Sequence, residues 1–349
     1  MSATRETTPL ILPRPVMPVH AALDLGTNNC RMLIGTMQGE GFRVVDSFSR
    51  IVRLGEGLHH SGMLSEAAME RAIDALQACA ARLVRRPAKS LRAVATEACR
   101  RAANGVEFLA RVERETGLHF DIISAREEAA LVLDSCAPLL GAGIRRALLF
   151  DIGGGSTELV WVRIDERGHP QLCGYVSLPV GVATLADRFG TSGFDPDGFA
   201  MMMEDVIARL LPFEQVHRIS QEIRQGGVRL LGTSGTVTTL AGIVLALKQY
   251  SRPAVDGLVL SRDAAMSALN ELREMGPVKL SEHPCVGPER VNFVLPGCAI
   301  FQAIQTLWPA SEVVVADRGL REGLLMRLIR AERSRPMTRP RMPAAPVTN

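Results

Sequence analysis

The sequence is poor in aromatic residues, which make up 4% of its 349 positions, with two Trp and two Tyr. The central part of the chain has no basic stripe interleaved with aromatics, so a nucleic-acid-binding domain is not expected. No apolar run reaches the roughly 20 residues that a membrane span requires. The first 18 residues carry Pro9, Pro13, Pro15 and Pro18 and lack the apolar core of a signal peptide. Seven cysteines (Cys30, Cys79, Cys99, Cys136, Cys173, Cys285, Cys298) never form Cys-x-x-Cys. They read as reduced core thiols of a cytoplasmic protein, not as a zinc site or a disulfide framework. The histidines show no ligand spacing, and no Ser-His-Asp arrangement can be argued.

Charge of either sign is in small excess only, with a formal net of +3. That excess sits in the tails. Arg330, Arg333, Arg335, Arg339 and Arg341 against Glu332 give residues 330–349 a net +4, and Arg5 and Arg14 against Glu6 give residues 1–17 a net +1, leaving −2 between them. Both tails contain proline and read as disordered, solvated segments over 1–17 and 332–349. With 47% apolar and 22% charged residues, the remainder is ordinary globular chemistry, long enough for about two domains.

What the sequence does have is an internal near-repeat at an offset of 127 residues. Leu23-Asp24-Leu25-Gly26-Thr27-Asn28-Asn29 matches Phe150-Asp151-Ile152-Gly153-Gly154-Gly155-Ser156. Each is an apolar run meeting Asp-apolar-Gly, then small polar residues, then a second apolar run, which reads as a hairpin. A fainter match sets 91–96 against 228–233, each a strand entering a turn before a helix. Strands are expected near 19–26, 30–37, 42–54, 91–96 and 118–123 in the first copy. Helices are expected from Ser65 to Leu83, near 97–115 and from Ser124. The second copy has strands near 147–152, 157–164, 172–178, 228–232 and 312–316, and helices over 196–211, 234–249, 262–274, 289–307 and 319–331. The break falls near Gly141-Ala142-Gly143, giving domains 18–142 and 143–331, with the last helix able to pack back on the first. The fold class is α/β, two duplicated domains facing an interdomain cleft.

The two hairpin turns are candidate anion sites. Small residues let backbone amides approach a phosphate closely. Three consecutive glycines, Gly153, Gly154 and Gly155, also open backbone conformations closed to other residues. Ser156 and Thr157 add hydroxyls. Asp24 and Asp151, at strand ends, could hold a hydrated divalent cation. Gly232-Thr233-Ser234-Gly235-Thr236 has the layout of an anion site at a helix N-terminus, without the Gly-Lys-Ser/Thr of a Walker A loop. Ser124-x-x-Glu127 matches a capping box. Glu128 has no such structural duty and could accept a proton from water, although its position also fits a solvated helix-start glutamate. Arg31, Arg100 and Arg290 could contact phosphate or lie on the surface.

These segments, with Val52-Arg53-Leu54-Gly55-Glu56-Gly57-Leu58, Ala95-Thr96-Glu97-Ala98, Ile123-Ser124 with Glu127-Glu128-Ala129, and Asp317-Arg318-Gly319-Leu320-Arg321-Glu322-Gly323, occur in the order found in one family. Over residues 20 to 330 the chain resembles the exopolyphosphatase and guanosine-pentaphosphate phosphohydrolase (Ppx/GppA) family. The resemblance implies ribonuclease-H-like domains of the actin, Hsp70 and sugar-kinase superfamily. It implies hydrolysis of a terminal phosphoanhydride, on inorganic polyphosphate or alternatively guanosine pentaphosphate. By resemblance Glu128 is the catalytic base. By the same resemblance Asp151 is the magnesium-linked aspartate with Glu158 as a helper; Asp24 joins the metal candidates from its place at the strand end, and manganese is the expected substitute. The resemblance also implies that the turns Gly26, Thr27, Asn28, Asn29 and Gly153 to Thr157, with Arg100, contact phosphate; Gly232, Thr233, Ser234, Gly235 and Arg31 are phosphate candidates from their pattern alone. A homodimer is a family-level expectation. A sensor without catalysis and a sugar-kinase-like transferase are rival readings. The chain departs from the family pattern at Ala125, where glycine is usual, and at Thr27-Asn28-Asn29, where Ser-Asn-Ser is commoner. Longer members carry a further helical domain after the segment ending at Gly323, so a preference for shorter chains is expected here.

Overall fold

A computed structural model describes residues 17–39 and 41–334. Most of both expected tails lies outside the described residues. Eleven strands are described: β1 (Val19–Leu25), β2 (Asn29–Gln38), β3 (Gly41–Ile51), β4 (Ser90–Ala95), β5 (Asp121–Ile122), β6 (Arg146–Ile152), β7 (Thr157–Ile164), β8 (Pro170–Leu178), β9 (Val228–Thr233), β10 (Val259–Ser261) and β11 (Glu312–Ala316). They form two sheets, ordered β3-β2-β1-β4-β5 and β10-β11-β9-β6-β7-β8.

The two sheets share one plan. An antiparallel meander, β1-β2-β3 or β6-β7-β8, comes first. Its first strand then pairs in parallel with β4 or β9. A parallel partner demands a crossover, which a helix supplies. In the first copy this is Glu66–Arg85, capped by the Ser65 hydroxyl accepting from the Ala68 amide at 3.3 Å. In the second it includes Pro196–His217. This is the duplicated ribonuclease-H-like strand plan expected from the sequence.

Strand alternation decides where the acids point. Ala21, Leu23 and Leu25 of β1 enter the core of the first sheet's outer face, whereas Ala22 enters a core shared between the sheets. In β6, Leu148, Phe150 and Ile152 take the outer core, and Ala147 and Leu149 the shared one. With a period of two, Asp24 and Asp151 fall on the faces that look toward each other. Helices Ala125–Cys136 and Leu320–Arg333 pack on one another in that space, the second also lying on β1 and β2.

Several elements differ from the sequence expectation. Helix Val182–Phe189, helix Ile219–Gln225 and strand β10 were not expected. The helix expected over 234–249 ends at Val244, just before Ala246 turns to φ 50°. The one expected over 262–274 continues to Glu282 across a break at Gly276, φ 69°. The strand expected over 118–123 shrinks to two residues. Six cysteines are buried and free, but Cys173 is exposed on β8, an edge strand, so it is not a core thiol. No helix among the described residues is long and apolar enough to cross a membrane.

Candidate functional site

The two hairpin turns have the same backbone closure. Gly26 N–H donates to Asn29 O at 2.9 Å, and Gly153 N–H to Ser156 O at 2.9 Å. Neighbouring segments take four further turn carbonyls. Gly55 N–H takes Thr27 O, Val52 and Arg53 take Asn28 O, Val182 takes Gly153 O, and Ala183 takes Gly154 O. Among the described residues the amides of Thr27, Asn28, Gly154 and Gly155 donate to nothing. Most of the turn carbonyls are engaged while these four donors are left over, which is the backbone polarity of an anion site.

The three glycines of the second turn are there for room, not for backbone freedom. None of Gly26, Gly153, Gly154 and Gly155 has a positive φ, which corrects the expectation for the triplet. The turns press against each other instead. A Cβ on Gly154 would lie 2.9 Å from Asn28 Cβ, and one on Gly155 2.6 Å from Thr27 Oγ1. Ala125, where the family favours glycine, also lacks a positive φ, so alanine is tolerated in the first helical turn.

Both turns open into a cleft of about 670 Å³ between the sheets. Its floor is acidic. Burial pushes Asp24 and Asp151 up to about 6, with Arg31 holding both down. Burial, then Asp151, pushes Glu158 up to about 7, against hydroxyls of Ser156 and Ser177. Burial, then Glu158, raises Glu128 well above the usual carboxylate range, opposed by Arg100. Four carboxylates crowded in low dielectric cannot all ionise without added positive charge. Among the described residues no three His, Cys, Asp or Glu groups converge closely enough to cage a metal. Magnesium takes one or two carboxylates and completes its shell with water and phosphate, so this open donor set suits it. Asn28 Oδ1, a buried acceptor without a partner, points to the same need for a cation or a donor.

Glu128 sits in the first turn of Ala125–Cys136, where the Ser124 hydroxyl accepts from the Glu127 amide at 3.2 Å. Glu127 carries the cap but turns its carboxylate to Arg92 Nη2 at 2.5 Å, in place of the reciprocal half of a capping box. The quarter turn between the two acids sends Glu128 into the cleft. Its Oε2 meets Arg100 Nη1 at 3.3 Å, and among the described residues its Oε1 has no partner.

The remaining expected residues divide. Thr233, Ser234 and Gly235 line the cleft with Asn29, Ser156 and Arg31. Ser234 stands at φ 106° before helix Gly235–Val244, its hydroxyl buried and unpartnered. Three residues belong elsewhere. Gly232 is buried under Phe150, whose ring would be 2.6 Å from a Cβ. The Thr157 hydroxyl is spent on Val180 O at 2.7 Å. Arg100 does not line the cleft. It is turned inward onto Ile123 O, Glu97 and Glu128, so it holds an acid here and not a phosphate.

Sequence reading missed part of the wall. Arg318 and Arg321 line it, with Arg321 close enough to lower Asp24. Arg318 is fastened by Asp256, and Arg321 lies 3.2 Å from Glu322. Their signal was present in the segment 317–323, to which no role was given. Arg290 also lines the cleft, held by Val286 O and Cys285 O and by no carboxylate among the described residues. Tyr250 and Phe293 stand on the same wall. Only tertiary folding brings those two to the turns, and no local pattern marks them.

Fold and site define a duplicated α/β protein in which the cleft between the two sheets pairs an acidic floor with unspent backbone amides. The Ppx/GppA phosphatase family model matches residues 33–332, and the chain belongs to that family. Proteins named guanosine-5'-triphosphate,3'-diphosphate pyrophosphatase from Aeromonas hydrophila and Aeromonas salmonicida are each 33% identical over 316 residues, 89% of this chain. The chain spans 60% of the length of those relatives. A crystal structure of the Aquifex aeolicus Ppx/GppA family member is 26% identical, with a TM-score of 0.73 over 91% of this chain and 99% of that one. An exopolyphosphatase structure from Cytophaga hutchinsonii, 22% identical, shares the fold with a TM-score of 0.78 over 90% of this chain and 98% of that one.

Proposed function

We propose that the chain hydrolyses the terminal phosphoanhydride of inorganic polyphosphate, releasing orthophosphate, with magnesium as its cation. One observation carries this reading. Glu128 presents an unpartnered carboxylate oxygen to the same cleft into which the free amides of both turns open. The amides of Thr27, Asn28, Gly154 and Gly155 would bind the end of the chain. Glu128 would orient a water and take its proton as the water oxygen bonds to phosphorus and the bridging P–O bond breaks. Asp151, with Asp24 or Glu158 as a second carboxylate, would hold the magnesium, which would neutralise phosphate charge when bound. Manganese would substitute for magnesium, since oxygen ligands suit both. Arg31, which faces Asp24 across the hairpin and lowers both Asp24 and Asp151, would carry part of the charge that develops.

A second reading keeps the chemistry and changes the substrate to guanosine pentaphosphate. Two observations favour it: the printed names of the Aeromonas relatives, and Tyr250 and Phe293 on the wall where a base could rest. Orthophosphate release is compared for short polyphosphate, long polyphosphate, guanosine pentaphosphate and ATP, each with and without magnesium. Magnesium-dependent release from polyphosphate is the expected result. Release from guanosine pentaphosphate alone selects the second reading. Absence of release from all four rejects both.

A further inference from the structure

Arg100 makes unequal bonds. Its Nη2 donates to Glu97 Oε2 at 2.6 Å, while its Nη1 divides between Ile123 O at 2.8 Å and Glu128 Oε2 at 3.3 Å. Charge-assisted N–H···O bonds normally measure about 2.7–2.9 Å. The bond to Glu97 is thus full strength, and the one to Glu128 is at the weak limit. A guanidinium prefers to close on one carboxylate with two parallel bonds. Here that preference is frustrated, because Glu97 draws one arm away. Glu97 is itself 9% exposed and lines the cleft, where a bare carboxylate would be costly. It opens the short helix Glu97–Arg101 right after β4, and Arg101 Nη1 lies 3.7 Å from its other oxygen.

We propose that Glu97 is a positioning residue, which restrains Arg100 so that Glu128 keeps one carboxylate oxygen free for the attacking water. The inference rests on the assignment of Glu128 as base. With Glu97 in place, Arg100 steadies Glu128 through a single oxygen. Without Glu97, the fork of Arg100 closes on both oxygens of Glu128 and occupies the one that water needs. The effect then falls on the chemical step and not on substrate affinity, because Glu97 and Arg100 act on the base and are not among the groups proposed to bind phosphate.

Kinetics of Glu97→Gln, Glu97→Asp, Arg100→Gln and the Glu97→Gln/Arg100→Gln double variant test this, on whichever phosphoanhydride the wild type hydrolyses. Glu97→Gln should lower kcat about 10–100-fold, with KM within about twofold. Glu97→Asp should recover part of the loss. In the Arg100→Gln background, Glu97→Gln should add little. The neutral Gln also removes a charge that faces Glu158, and a loss by that route would persist in the Arg100→Gln background. An unchanged kcat in Glu97→Gln, or an equal loss in both backgrounds, overturns the proposal. A crystal structure of Glu97→Gln decides it even if the wild type hydrolyses none of the substrates, a result that would count against the proposed function alone. Arg100 closed on both oxygens of Glu128 supports the inference; Arg100 left in its wild-type position overturns it.

Discussion

The two hairpin turns are copies of one device carrying opposite chemistry. Their closures are alike, Gly26 to Asn29 and Gly153 to Ser156. Asp24 and Asp151 occupy matching places, each in the last turn-facing pairs of its hairpin. Across the hairpin, however, Asp24 faces Arg31 and Asp151 faces Glu158. The first copy therefore brings a cation to the cleft and the second brings another acid. The duplication supplies two sets of free amides, and the divergence at one matched position supplies the polarity between them. The turns also fit each other by size, with Thr27 and Asn28 against glycines.

The largest expected effect comes from erasing that difference. Glu158→Arg makes the second hairpin resemble the first, and the rate at saturating magnesium should drop about 10²–10³-fold, while Arg163→Lys, further along the same strand, should change it little. Steady-state rates of the two variants check this. The next largest tests the fit between turns. Gly154→Ala forces a Cβ to 2.9 Å from Asn28 Cβ and should cost up to about 10²-fold in kcat/KM. Gly26→Ala meets nothing nearer than 3.5 Å and should stay within about twofold, because neither glycine needs a positive φ.

The paired aspartates predict a pH dependence shared by both copies. Asp24 and Asp151 are raised to about 6 by burial, against about 4 in an unfolded chain. Between those values the native state binds more protons than the unfolded state. Their contribution to stability therefore falls as pH rises from about 4 to about 6 and stays low above. In metal-free denaturant titrations, Asp24→Asn/Asp151→Asn should gain on the wild type by more at pH 7.5 than at pH 5. An equal difference at both pH values would contradict the buried cluster. The smallest effects are the caps. Ser65→Ala and Ser124→Ala should each cost about 1 kcal/mol in chemical denaturation, and only the Ser124 variant should also slow turnover, because its helix carries Glu128.

How far the sequence could be read follows from how local each signal is. The hairpins, the Ser65 and Ser124 caps and the crossover helices are written in adjacent residues, and the repeat exposes the duplication. Gly232 and Thr157 carried the same small-residue signature as their neighbours, yet strand alternation turns them into the core. Glycine composition suggested backbone freedom where the fold required space at a contact between two domains. Arg100 showed the limit most clearly, because its partners, Ile123 and Glu128, lie on the far side of helix Gly105–Thr116 in the chain. Tyr250, Arg290 and Phe293 reach the cleft from segments without a repeat counterpart.

The central claim is that Glu128, in the cleft that both turns line, activates the water. The most direct test is the single-turnover rate of orthophosphate release by Glu128→Ala against the wild type, with circular dichroism confirming an unchanged fold. The account predicts a loss of about 10²–10⁴-fold at undiminished substrate binding. A folded Glu128→Ala protein that releases orthophosphate at the wild-type rate would contradict it.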